Sequence, residues 1–396
     1  MPKHVYRLVA GLLLAIAQVA LAAGEAEDAR RPDRFAIIFN KGYAGDNLPK
    51  DPASFERLIR VIREAHFNTV MGKYEEWRAR ICKKYEIRFF VDLLVPETHV
   101  YQNVEAAHKL CESLRKSDVV YGYHLWSDNI ASTYDGRSRD VKNVHAWDPT
   151  HPTYVGSYRM DGVARVQGSD LFGYYDFHWK RGGHWEHLVA ASKVAREKGA
   201  HFLRYCDAAP GRVGTGNPNR VGYTIATSIP FGLKGYLFHY TGGVVDEKSG
   251  QLDALGKDLK VVNAKFAAIG DEVMAIGNPT AVYSTPVTKT AKDEAVDGAP
   301  AVPGGLAAIP ADHPFRIAHG EVLLGVFKDP KGREVIALAS HNAYQPQDVR
   351  IEFKESPKAV SFFNRATRKW TSLRLTAGAA SFQVEEYATE LVRIER

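Results

Sequence analysis

Cysteine is nearly absent: the 396 residues hold three, Cys82, Cys111 and Cys206. That excludes a disulfide-dense scaffold. Without Cys-x-x-Cys spacing it also excludes a cysteine-built zinc module. Cys82 and Cys111 fall on expected helices after adjacent strands, so they either pair or lie buried as free thiols. Beyond residue 22 there is no long apolar run, and no further membrane segment is expected. No block of Lys and Arg marks a nucleic-acid partner. The Gly-x-Ser-x-Gly turn that presents a hydrolase serine is missing. An early Gly-x-Gly-x-x-Gly turn is missing too. The glycines of Gly211 to Gly216 come late and lack its spacing, which argues against an open dinucleotide-binding sheet. The fifteen histidines are dispersed, and His184 and His187 stand three apart without the zinc-protease pattern. No metal or cofactor is expected.

What the chain does have begins with an export-type leader. Lys3, His4 and Arg7 precede the apolar run Leu8 to Leu21, and Ala20-Leu21-Ala22 offers small residues for cleavage. Residues 1–22 therefore read as a signal peptide of a secreted or periplasmic protein. No cysteine follows the site to carry a lipid anchor. Roughly 370 residues remain, enough for a large barrel and a smaller domain. The formal charge of +6 suits ordinary solubility or a sulfated or uronic polysaccharide.

Apolar strands and amphipathic helices then alternate. Phe35 to Asn40, Phe67 to Tyr74, Ile87 to Val95, Val119 to Asn129, Thr153 to Tyr158, Asp170 to His178, His201 to Asp207 and Gly235 to Tyr240 read as eight strands. Helices fit after most of them. Ile130 to Thr150 reads as a long polar loop with a little helix. Eight alternations in about 245 residues suit a (β/α)8 barrel, expected over 34–276. From Asn278 the period drops to two, in short runs such as Val349 to Phe353 separated by turns such as Asp329-Pro330-Lys331-Gly332. A small antiparallel β-sandwich is expected over 278–396.

The stretch Val119 to Asn129 begins as a strand and ends in His124, Trp126, Asp128 and Asn129, which no strand needs. At the C-terminal end of a barrel strand such groups face the active-site mouth. The stretch resembles the fourth strand of barrel glycosidases related to the β-galactosidases. Many of those read Gly-Tyr-(aromatic)-Leu-x-Asp-Glu-Pro, with the Glu as general acid/base. Here Ser127, Asp128 and Asn129 replace the Asp, Glu and Pro. Gly232 to Tyr240 resembles the last barrel strand of the same enzymes, and Asp258 to Asn263 their closing helix. The C-terminal strands, with Phe362-Phe363-Asn364-Arg365, resemble the appended sandwich of secreted polysaccharide-acting enzymes.

Glycoside hydrolysis needs two carboxyls flanking the anomeric carbon. The resemblance puts the acid/base at Asp128 and the strand-seven nucleophile at Asp207; some relatives use strands four and six, which pairs Asp128 with Asp176. Each has a structural alternative: an Asx turn for Asp128, a loop cap for Asp207, an ion-paired core residue for Asp176. His124 and Trp126 share the parity of Asp128 and are expected on its face. Asp92 is expected to hold a neighbouring cation, Lys73 or Arg204. Asn40, Lys41, Tyr43, Lys73, Asp92, His124, Trp126, Tyr175, His178, Trp179, Arg204, His239 and Tyr240 are expected to line the mouth and bind substrate. Lys41, Lys73 and Arg204 would suit a carboxylate or sulfate on the sugar. Two readings follow: a secreted glycoside hydrolase acting on poly- or oligosaccharides, or an inactive relative that binds glycans. An Asp is one methylene shorter than a Glu, and about 1 Å of misplacement costs about 100-fold. Turnover is the discriminating observation.

Overall fold

Short strands buried on both faces can only pair inside a ring of helices. The computed structural model describes residues 30, 32–41, 46–127, 134–157, 159–174, 184–206, 218–238, 241, 243–246, 248–287, 306–342 and 344–396. Eight parallel strands close into a barrel: β1 Ala36–Phe39, β2 Thr69–Gly72, β3 Arg88–Asp92, β4 Val120–Ser127, β5 Thr153–Ser157, β6 Leu171–Tyr174, β7 His201–Cys206 and β8 Leu233–Phe238. The ring closes where Ala36 pairs with Gly235, which rules out the open doubly wound sheet. Each strand is followed by a helix: α1 Pro52–Glu64, α2 Glu76–Lys84, α3 Val104–Leu114, α4 Tyr134–Trp147, α5 Met160–Arg165, α6 His184–Lys198, α7 Pro218–Ser228 and α8 Ala254–Ala275.

Local chemistry explains the elements. The Asp51 side chain caps α1 by accepting from the Ser54 N–H at 2.9 Å, and Pro52 begins the helix. Phe55, Leu58, Ile59 and Ile62 bury its inner face. Helix α4 replaces most of the loop expected between strands four and five. Its buried positions are Tyr134, Arg137, Asp140, Val141 and Val144. The spacing is helical, but two of the five are ionisable, so no apolar stripe is visible.

Alternate strand residues fill the barrel. Ile38, Met71, Phe90, Tyr121, Tyr154, Leu171, Leu203, Tyr205 and Leu237 form the inner core. The Tyr154 phenol runs along the interior past Gly173, where an added Cβ would lie 2.0 Å from its hydroxyl. The other strand faces pack on the helices. There Cys82 and Cys111 lie buried as free thiols, and Cys206 is buried too.

The remaining strands are β9 Ala281–Ser284, β10 Phe315–His319, β11 Val322–Lys328, β12 Glu334–Ser340, β13 Gln347–Phe353, β14 Ala359–Asn364, β15 Lys369–Ser372, β16 Ala379–Val384 and β17 Thr389–Glu395. They form a three-stranded sheet, β10-β13-β16, and a six-stranded sheet, β15-β14-β17-β12-β11-β9. On β11, Val322, Leu324 and Val326 face the sandwich core, while Leu323 and Phe327 join the barrel's helix layer. Gly325 lies so close to the barrel that a Cβ would meet the Pro230 carbonyl at 2.2 Å. The Thr389 hydroxyl donates to the Ala226 carbonyl at 2.9 Å. Among the described residues no helix is long and apolar enough to cross a membrane.

One buried cation gives a pH test of this packing. Lys234 on β8 is 1% exposed and donates to the Val273 carbonyl near the end of α8. Burial pushes its pKa down from 10.5 to about 7. Between those values the unfolded chain holds the proton and the folded chain has lost it, so stability rises with pH. From pH 7 to 8.5 the urea-unfolding free energy of the parent is expected to gain about 1.5 kcal/mol relative to Lys234→Met, a difference in which the opposing contribution of the buried Glu390 carboxyl cancels. Equal pH dependence in the two chains would contradict the assignment. The window stops there because burial raises the pKa of the Cys82 and Cys111 thiols, which reverses the slope near pH 9.

Candidate functional site

The C-terminal ends of the barrel strands meet at one mouth, and β3 and β4 deliver the best-defined polar pair there. Asp92 and His124 are paired in the strand register. The His124 Nδ1 lies 2.9 Å from Asp92 Oδ1. A carboxylate only accepts, so Nδ1 carries the proton and a neutral ring has its acceptor at Nε2. Asp92 Oδ1 also accepts from the Leu94 N–H at 3.1 Å, which orients the carboxylate. The imidazole sits over the barrel core, 5.5 Å from the Tyr154 ring and 6.2 Å from Phe90. Both groups are largely buried, with side-chain exposures of 4% for His124 and 14% for Asp92. Asp92 does hold a neighbour, but the neighbour is His124 and not Lys73 or Arg204.

Around this pair, Asn40 is buried at the end of β1, and its carbonyl accepts from Thr241 Oγ1 at 2.8 Å. Lys41 follows it, half-buried. Lys73, beyond the end of β2, bonds Glu97 at 2.8 Å in the loop after β3. That bond raises the lysine's pKa. The loop from β1 is held down by Arg78 of α2. Its guanidinium, fully buried, grips Asp46 with two bonds of 2.8 and 2.9 Å and also donates to the carbonyls of Lys73 and Pro49.

Two expected mouth residues point elsewhere. Trp126 does not share the face of His124. The β4–β5 register shifts between His124 and Trp126, and the bulge turns the indole outward. It is buried in the helix layer, edge-on to Tyr134 at 6.1 Å and 5.7 Å from the Arg137 guanidinium. Arg204 lies between Leu203 and Tyr205, which face the barrel interior, so it too points outward. It donates to the Tyr174 hydroxyl at 2.8 Å, to Ser228 Oγ at 3.2 Å and to His184 Nδ1 at 2.9 Å. Burial first, and Arg204 second, lower the pKa of His184, so its ring is neutral and accepts that bond. Arg204 therefore braces the helix layer, which leaves it unsuited to grip an anionic sugar.

Asp128, Asp176, Asp207, Tyr43, Tyr175, His178, Trp179, His239 and Tyr240 lie outside the described residues. Among the described residues no group of three or more His, Cys, Asp or Glu is placed to hold a metal ion. Sequence reasoning missed Glu97, His99 and Tyr101, which follow strand three on the mouth side. Their only signal was two rings and an acid within one strand-to-helix loop.

The geometry of the pair carries an expected outcome. Asp92→Ala removes the Oδ1 that accepts from Nδ1, so it can no longer fix the His124 tautomer. It should lower kcat/KM about tenfold or more on a glycoside the chain turns over. The Leu94 N–H loses its acceptor too, so kcat/KM should be read well below the variant's unfolding midpoint. Unchanged kcat/KM would assign the pair to packing alone.

No protein-family model and no curated protein sequence matches this chain. Solved structures do match its fold. One is a Bacteroides fragilis protein provisionally named an α-galactosidase, at 10% identity over 92% of this chain and 79% of the other, with a TM-score of 0.53. A second, named a glycoside hydrolase, matches at 9% identity over 91% and 92%, also with a TM-score of 0.53. A third is an α-amylase from Geobacillus thermoleovorans complexed with acarbose, at 10% identity over 93% and 100%, with a TM-score of 0.50. At such identities the likeness is one of fold: a parallel eight-stranded barrel followed by antiparallel sheets, as the resemblance implied.

Proposed function

We propose that the chain is a secreted glycoside hydrolase that cleaves poly- or oligosaccharides with two carboxyls at the barrel mouth. The observation that carries the reading is where the strands stop. Strand β4 ends at Ser127, one residue before Asp128. Strand β7 ends at Cys206, one residue before Asp207, and β6 ends at Tyr174, two before Asp176. In a closed parallel barrel those ends converge on one mouth. Fold neighbours named for α-galactosidase, α-amylase and glycoside hydrolase activity support the substrate class, and the export-type leader supports secretion.

In this mechanism Asp128 gives its proton to the glycosidic oxygen as the C–O bond breaks. Asp176 or Asp207, ionised, either attacks the anomeric carbon or takes a proton from the attacking water. His124, fixed by Asp92, stands at the mouth where it would contact a sugar hydroxyl. Lys73 is engaged by Glu97 and Arg204 faces the helices, so neither is placed to meet an acidic sugar.

The test is turnover of the purified chain on aryl glycosides and on soluble glycans of varied linkage, read as phenol release and new reducing ends. Steady release on at least one substrate is expected. Glycan binding without release would favour the inactive, glycan-binding relative.

A further inference from the structure

We propose that Tyr101 is the stacking platform of an outer sugar subsite, so that the substrate is a glycan chain rather than a small glycoside. This rests on the glycosidase reading above. Tyr101 lies in the loop between β3 and α3, on the same side of the barrel as Asp92 and His124. It is 45% exposed, whereas among the described residues the other large rings, Tyr344 apart, are mostly covered. Yet it is braced. The guanidinium of Arg137 sits 4.3 Å from its ring centroid, and the His99 ring packs edge-on at 4.1 Å. His99 is buried, and burial together with Arg137 lowers its pKa, so it packs as a neutral ring.

Arg137 is itself locked. It is 6% exposed, is bonded to buried Asp140 at 3.1 Å, and stands 5.7 Å from Trp126. Trp126, Arg137 and Tyr101 thus form a column that runs from the end of β4 to the surface. With one face on the guanidinium and one edge on the imidazole, the solvent-facing surface of Tyr101 is its other face. A flat aromatic face held in one orientation suits the C–H face of a pyranose ring, because little side-chain freedom is lost on binding. Arg137 lies in the first turns of α4, and α3 begins just after Tyr101. The platform therefore sits on the rim, outward from Asp92 and His124, where a sugar several units from the scissile bond would lie.

The test is affinity electrophoresis of the full chain in gels containing soluble xylan, galactomannan, mixed-linkage β-glucan, pectic galactan or starch. Retardation by at least one of them is expected, weakened about tenfold in Tyr101→Ala and retained in Tyr101→Phe, which keeps the ring. On that glycan, the ratio of kcat/KM for long over short oligosaccharides should fall about tenfold in Tyr101→Ala. No retardation of the parent chain, or equal retardation of parent and Tyr101→Ala, overturns the subsite. Loss in Tyr101→Phe equal to that in Tyr101→Ala also overturns it, because the ring would then not be the contact. Electrophoresis needs no turnover, so a chain that binds through Tyr101 but cleaves nothing would refute the hydrolase reading alone.

Discussion

Asp128→Asn is expected to lower kcat by several orders of magnitude on a glycoside with a poor leaving group, and by much less on an activated aryl glycoside. The substitution keeps the shape of the side chain and removes the proton. An alkoxide leaving group needs that proton as the bond breaks; a nitrophenolate hardly does. The leaving-group dependence therefore separates an acid from a structural residue. The difference should be visible as a steeper dependence of log kcat on leaving-group pKa in the variant than in the parent. A small, equal loss on both substrates would make Asp128 a turn residue, as its place directly after β4 also allows.

Asp46→Ala is expected to destabilise the chain by about 3 kcal/mol, because the fully buried Arg78 guanidinium then keeps only the partly exposed Glu75, at 3.3 Å, as an anionic partner. Burial pushes the Asp46 carboxyl up, but bonds from Arg78 and Lys50 more than compensate and hold it below the usual range. Arg78→Met should cost less. The carboxylate it leaves is 10% exposed and keeps Lys50 at 2.6 Å. The asymmetry is the informative outcome, measured as urea midpoints of the two variants. Equal costs would mean that lost packing dominates over the weakened pairing of the charge. The same staple ties the loop after β1 to the Lys73 carbonyl. Asp46→Ala should therefore also loosen the mouth at temperatures where the fold survives.

The barrel was legible because its strands are buried on both faces and its helices carry one apolar stripe. Phe55, Leu58, Ile59 and Ile62 announce α1 directly. Helix α4 was not legible, since Arg137 and Asp140 occupy its buried face and neutralise each other there. Strands β11 and β12 also hide their period. One face of each packs on the sandwich core and the other on the barrel, so both read as unbroken apolar runs. At the mouth, strand parity located Asp92 and His124 but misdirected Trp126. A bulge is a backbone event that no residue between His124 and Trp126 signals. Arg204 was misplaced for a related reason: a cation inside a strand was assumed to seek the mouth, whereas Tyr174, Ser228 and His184 supply its partners in the helix layer.

The most direct test of the carboxylate mechanism is the separation between the Asp128 carboxyl and those of Asp176 and Asp207, measured in a crystal of the chain soaked with an oligosaccharide. One of the two pairs should lie either about 5–5.5 Å apart or about 6.5–9.5 Å apart across the scissile bond, the first spacing predicting retention and the second inversion. Separations well beyond about 10 Å for both pairs would contradict the mechanism.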